Sequence, residues 1–168
     1  MTDHLRQFLP GLLLAVLACT SGCAAETGES DDEVDEASEA LTNNELETRI
    51  IAEINQRRVA RGLQKVAGGA CIDEAAESWA GHLVSTGKFV HQDMSPLLGK
   101  CNALWTGETL AGGSAIITAS QWVTAWMNSD SHREIILKPR ADRVGVAVRT
   151  RPNGDLVIVA DFLDKPNE

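Results

Sequence analysis

The chain has 168 residues, enough for one domain with a short extension, and a formal charge of −9. That charge is unevenly placed: ten acids and no Lys or Arg fall between residues 24 and 48, so the rest of the chain is close to neutral. A nucleic-acid surface needs a basic face, and none is encoded, so no nucleic-acid partner is expected.

Residues 1–23 read as a targeting segment. Arg6 supplies a thin basic region, and residues 9–18 form a ten-residue apolar run. That run is too short to span a bilayer, which takes about 20 residues, but it suits a signal peptide. Small residues and two cysteines follow, in the manner of a bacterial lipoprotein signal. Cys23, preceded by Ser21-Gly22, is the expected lipidation site, with Cys19 as the alternative. An ordinary secretory signal is the competing reading. Either way the mature protein leaves the cytoplasm, as a membrane-anchored envelope lipoprotein or as a secreted protein.

Residues 24–42 are Glu, Asp, Ser, Ala and Gly with almost nothing large and apolar. Such a stretch cannot bury enough surface to offset its ordering entropy, and it reads as a solvated tether. The domain is expected over residues 43–168. Thr42 and Glu45 fit a capping box, and Leu46, Ile50, Ile51 and Ile54 recur at helical spacing until Gly62. A second helix follows Gly68-Gly69, with Ile72, Ala75, Ala76, Trp79, Ala80 and Leu83 as its apolar stripe and Gly87 at its end. Residues 88–113 hold one Pro and four Gly and read as an irregular loop. A third helix is expected over residues 115–128, with Ile116, Ala119, Val123 and Trp126 inward. A short helix after Ser131 carries His132, Ile135 and Ile136 and stops at Pro139.

The period then changes. Val144, Val146 and Val148 alternate with small residues, and Leu156 to Ala160 form a second apolar run. Pro152-Asn153-Gly154 between them is a hairpin signal. Helices first and an antiparallel hairpin last argue for an α+β fold.

In an oxidising compartment the two remaining cysteines, Cys71 and Cys101, have only each other to pair with. Two buried thiols are the alternative. Metal ligation by these cysteines is disfavoured, since no Cys-x-x-Cys spacing occurs.

Several short pieces share an order. They are Asn55-x-x-Arg58-x-x-x-Gly62-Leu63, Phe89-Val90-His91, Gly107-Glu108-Thr109-Leu110-Ala111, Trp126 through Arg133, Val144-Gly145-Val146, and Asp161-Phe162. Together they resemble the CAP superfamily, also called SCP/PR-1-like, over about residues 44–163. The resemblance implies an α-β-α sandwich with a central antiparallel sheet. It also implies a cleft lined by two histidines and, in many members, two glutamates. His91, Glu108 and His132 match three of those four positions. The second glutamate is replaced by Ser129, and Thr109 replaces the Asn of the family's Gly-Glu-Asn step.

Three chemistries remain open for this trio. His91, Glu108 and His132 supply ligand types for Zn²⁺ or another divalent cation. Alternatively Glu108 orients His132 for a metal-dependent or Ser/His hydrolase, with Ser129 or Ser131 as nucleophile. The chain, however, has no Gly-x-Ser-x-Gly elbow and no His-Glu-x-x-His. The third reading is a self-satisfied polar cluster that fixes how helices meet a loop. The resemblance favours a non-enzymatic binding module over an enzyme. Its expected partners are a small lipid or sterol-like ligand, or another envelope or extracellular protein. Trp105, just before Gly107-Glu108, and Ser129 are the expected lining of the ligand cleft.

Overall fold

The computed structural model describes residues 42–164. The targeting segment, the tether to residue 41 and the lipidation site at Cys23 lie outside the described residues. Thr42 caps the first helix, α1 (Asn43–Val59), and both arms of its capping box with Glu45 are formed. Leu46, Ile50, Ile54 and Arg58 recur every four residues along the buried side of α1. The second helix, α2 (Ala70–Thr86), ends in a left-handed Gly87. Next come α3 (Ser95–Lys100), β1 (Thr106–Gly113), α4 (Ala119–Asn128), α5 (Asp130–Ile136), β2 (Arg143–Thr150) and β3 (Leu156–Leu163).

The strands form one antiparallel sheet in the order β1-β3-β2. The β2–β3 hairpin forms where Asn153-Gly154 places it. Gly154 takes a positive φ of 86°, and the Asn153 side chain accepts the Asp155 amide at 3.1 Å. Val144, Val146 and Val148 of β2 and Leu156, Ile158, Ala160 and Phe162 of β3 pack into one core with Leu46, Ile50 and Ile54 of α1, Val123 and Trp126 of α4, and Ile136 of α5. On the other face Ala147, Val157 and Val159 pack under Ala76, Ala80 and Leu83 of α2. The sheet is thus covered on both faces, which is the α-β-α sandwich the resemblance implies. It also explains why all eight residues of β3 are buried.

Two expectations are corrected. The segment 88–113 is not wholly irregular: it holds α3 and, over its last eight residues, β1, paired along its full length with β3. Three glycines in eight residues hide this strand from propensity, and pairing with a very apolar partner imposes it. The third helix starts at Ala119, capped by Thr118 with Gln121 completing a second capping box, so Ile116 lies outside it and is 88% exposed.

Three contacts knit the layers. Arg58 is fully buried. Its guanidinium donates to the Gln64 carbonyl at 2.8 Å, Ile136 at 2.7 Å, Lys138 at 3.0 Å and Ala141 at 2.8 Å. Asn55 donates to the Val66 carbonyl and accepts its amide, at 2.9 and 2.8 Å. The Asn55–Arg58 pattern therefore serves the fold. Third, Gly145 lies under the first turn of α2, where a Cβ would stand 2.3 Å from the Ile72 carbonyl oxygen.

Each outer edge of the sheet has main-chain groups engaged from outside it. On β1 the Leu110 carbonyl accepts the Trp126 indole N–H at 2.8 Å. On β2 the Val148 amide donates to the Glu47 carboxylate at 2.8 Å, and the Val144 amide to the Ala67 carbonyl at 2.9 Å.

Cys71 and Cys101 form a disulfide that ties the first turn of α2 to the end of α3. The closed loop spans 30 residues, so replacing both cysteines by serine is expected to cost about 3.5 kcal/mol in the chain-entropy account. Urea unfolding of the paired variant beside the oxidised parent measures this. An unchanged midpoint would show that the bridge adds no stability.

Candidate functional site

The edge strand β1, the segment leading into α3 and the first turns of α5 meet around a cavity of about 280 Å³. It is lined by His91, Gln92, Met94, Glu108, Ser131, His132 and Ile135. Each element is held from outside. The Trp79 indole N–H of α2 donates to the Val90 carbonyl at 3.2 Å, steadying the residue before His91. Asp164, just after β3, accepts the Leu104 and Trp105 amides at 2.8 and 2.6 Å and pairs with Arg140, which sets where β1 begins. Arg58 grips the carbonyls at the end of α5 and so places His132.

Glu108 is the centre of the site. Its side chain is buried, and its Oε1 lies 2.5 Å from His91 Nδ1 and accepts the Gln92 amide at 3.2 Å. The Gln92 side-chain amide donates to Glu108 Oε2 at 3.0 Å, and the same nitrogen donates to Asp161 Oδ2 at 2.8 Å. Asp161 is the cross-strand partner of Glu108 and is fully buried. Its other oxygen, Oδ1, has no hydrogen-bond partner among the described residues. Two carboxyl groups directly opposite across a ladder repel when both are ionised. Here they share one amide, and only Glu108 gathers several donors.

The electrostatics follow. Burial pushes the Asp161 carboxyl group up to about 8, with the Glu108 charge adding to the shift and the Gln92 bond opposing it. Burial also raises Glu108, against the bonds from Gln92 and His91. Burial first, and then the nearby His91, lowers His132, which favours its neutral form. For Asp161 the folded value exceeds the unfolded one, so its contribution to stability is complete below about pH 4 and is lost as the pH climbs to about 8. Asp161→Asn is therefore expected to gain stability relative to the parent between pH 4 and pH 8. Denaturant midpoints at both ends check this, and a constant difference would show that Asp161 does not titrate there.

The structure brings His91, Glu108 and His132 to one cavity. His91 and His132 stand with ring centroids 6.4 Å apart, and the His91 side chain is 58% exposed. It does not present Glu108 as a free ligand, because both of its oxygens are engaged. Among the described residues no three His, Cys, Asp or Glu side chains are grouped to hold one ion. Two imidazoles sharing a tetrahedral Zn²⁺ at about 2.0–2.1 Å stand on the order of 5 Å apart by their centroids, so this pair is slightly open. The residues fit a two-histidine cation site with Glu108 behind His91, as carboxylates stand behind many ligating histidines. They do not fit a three-ligand set.

Trp105 and Ser129, expected in the cleft, lie outside its lining. Gly107 lacks the Cβ that would stand 2.9 Å from the Trp105 ring, so that ring folds back on Gly107, with Lys138 5.8 Å from its centroid. Ser129 is the cap between α4 and α5, with its Oγ 3.3 Å from Ser131 Oγ. Sequence reasoning missed Gln92 and Asp161 as parts of the site. The available signal was an acid within an otherwise apolar strand, which is costly unless the acid has a task.

A family model described as CAP, the cysteine-rich secretory protein family, matches residues 51–162. Three solved bacterial structures share the fold. An outer surface protein of Borrelia burgdorferi is 21% identical, with a TM-score of 0.65 over 75% of this chain and 97% of that one. An extracellular SCP-domain protein of Bacillus anthracis is 18% identical, with a TM-score of 0.60 over 74% of this chain and 44% of that one. A cysteine-rich secretory protein of Staphylococcus aureus is 21% identical, with a TM-score of 0.58 over 74% of this chain and 40% of that one. No protein in the curated comparison matches this chain.

Proposed function

The chain belongs to the CAP, or cysteine-rich secretory protein, family, and from that premise we propose that it is an exported, non-enzymatic binding module whose cleft takes a divalent cation through His91 and His132. One observation carries the reading. Glu108 engages His91 Nδ1, which leaves Nε2 as the ring nitrogen without a hydrogen-bond partner among the described residues, on a ring whose centroid stands 6.4 Å from that of His132. A bound cation supplies a positive charge able to engage a further ligand on its open side. Export is supported by the apolar run and the cysteines near the N-terminus, and by the disulfide. The fold neighbours are described as outer surface or extracellular proteins, which points the same way. Lipid anchoring through Cys23 is part of this proposal. Among the described residues no helix is long and apolar enough to cross a membrane.

The cavity argues against a sterol. Its volume is slightly below the roughly 300–1,000 Å³ of pockets for drug-sized ligands. A hydrolase is also less well supported. Among the described residues no serine hydroxyl bonds to either histidine, and Ser131 and Ser129 face each other.

Calorimetric titration with Zn²⁺ tests the proposal. Heat is expected at pH 7.5, weakening as the medium is made acidic because protons compete with the metal for its ligands, and lost in His132→Ala. No heat at pH 7.5, or heat unchanged in the variant, removes the cation reading. Saturable uptake of a fluorescent sterol under the same conditions would favour the lipid reading instead.

A further inference from the structure

His91 sits on a segment without regular secondary structure, and its side chain is more than half exposed. Left to itself, such a ring samples both neutral tautomers and several orientations. Here it is not left to itself. Glu108 holds Nδ1, yet Glu108 would face Asp161 across the β1–β3 ladder with nothing between them were it not for Gln92. The Gln92 amide nitrogen has two hydrogens and spends one on each carboxyl group. The Gln92 main-chain amide meets the oxygen of Glu108 that also meets His91. One residue thus supplies two of the three donors that orient Glu108, from the position directly after His91.

We infer that Gln92 and Asp161 are positioning residues of the cleft. The Gln92 amide, braced on the buried Asp161, fixes the Glu108 carboxylate so that the His91 proton stays on Nδ1 and Nε2 is presented to the cavity. This concerns the same cleft as the cation reading, but it describes the metal-free protein and is tested there. The assignment gives a task to a fully buried acid in the central strand, whose second oxygen has no hydrogen-bond partner among the described residues. A residue present only for packing at Asp161 would be apolar, like its neighbours in β3.

The test is nitrogen-15 NMR of the imidazole rings of the full chain at pH 7.5 with chelator, His91 being assigned by the signals lost in His91→Gln. In the parent, the His91 Nδ1–H tautomer is expected in at least about tenfold excess, as a charge-assisted hydrogen bond would enforce. Gln92→Met removes both side-chain donors at similar volume. The two His91 nitrogen shifts should then converge as the tautomers exchange, while the His82 signals stay in place. Gln92→Ser, too short to reach Asp161, should behave alike, and serves if the methionine variant does not fold. Asp161→Ala should move the shifts the same way, and Asp161→Asn, which keeps an acceptor for Gln92, should restore the parent pattern. A parent ring protonated on Nε2 overturns the inference. So does an unchanged His91 pattern in a folded Gln92 variant. Convergent shifts without any Zn²⁺ heat would leave the positioning role standing and remove the cation reading alone.

Discussion

Replacing Arg58 by alanine is expected to lower the unfolding free energy by about 4 kcal/mol or more, the largest loss from any single truncation in this domain. The guanidinium is fully buried and bonds four main-chain carbonyls, from the turn after α1 to the residue before the β2 approach. Removing it leaves those acceptors buried and unpaired, at roughly 1–3 kcal/mol each before relaxation. Water entering the vacated space would recover part of that. No carboxylate faces Arg58 in these contacts, so the charge is met entirely by carbonyl dipoles. Lysine would keep the charge but lose the planar fork, so Arg58→Lys should recover less than half of the loss. With a urea slope of about 1–3 kcal/mol per molar, the alanine variant should move its midpoint by roughly 2 M. A shift below about 0.5 M would show that the carbonyls find other partners. Because two of the four lie at the end of α5, the same variant should loosen His132.

The second large effect is expected at Gly145. A Cβ there would stand 2.3 Å from the Ile72 carbonyl oxygen, 2.5 Å from its carbon and 2.8 Å from the Asp73 nitrogen. These are main-chain atoms in the first turn of α2, so no side-chain rotation relieves the clash. The helix must lift from β2, opening the core between α2 and the hairpin. Overpacking typically costs 1–3 kcal/mol, and a contact fixed on both sides by backbone belongs above that range, at about 4 kcal/mol. Against a total stability of roughly 5–15 kcal/mol, Gly145→Ala should be barely folded at 37 °C. Thermal unfolding by circular dichroism checks this, and a midpoint within a few degrees of the parent would show that α2 rides on the sheet with slack. Gly145→Ser should fare no better.

Much of the fold was legible because local signals and tertiary demands agree. The Thr42–Glu45 capping box, the stripes of α1 and α2, and the Asn153-Gly154 turn each name a structure that short-range physics already favours. Strand β1 was not legible, since Thr106-Gly-Glu-Thr-Leu-Ala-Gly-Gly has little strand propensity and is drawn into the sheet by its partner. The start of α4 was legible and overlooked: Thr118 and Gln121 form the same capping pattern as Thr42 and Glu45. Of the site, the resemblance located His91, Glu108 and His132, and the fold brings them to one cavity. The bridge through Gln92 to Asp161 was hidden because it depends on register. Only when Glu108 is paired opposite Asp161 does the residue after His91 acquire two carboxyl groups to join.

The engaged groups on the sheet edges bear on how this domain meets other chains. A strand whose outer amides and carbonyls are free is a template for another chain. Here the indole of Trp126 takes a carbonyl on one edge. The Glu47 carboxylate and the Ala67 carbonyl take amides on the other. At these positions a partner that docks by adding a strand would find the edge groups already engaged.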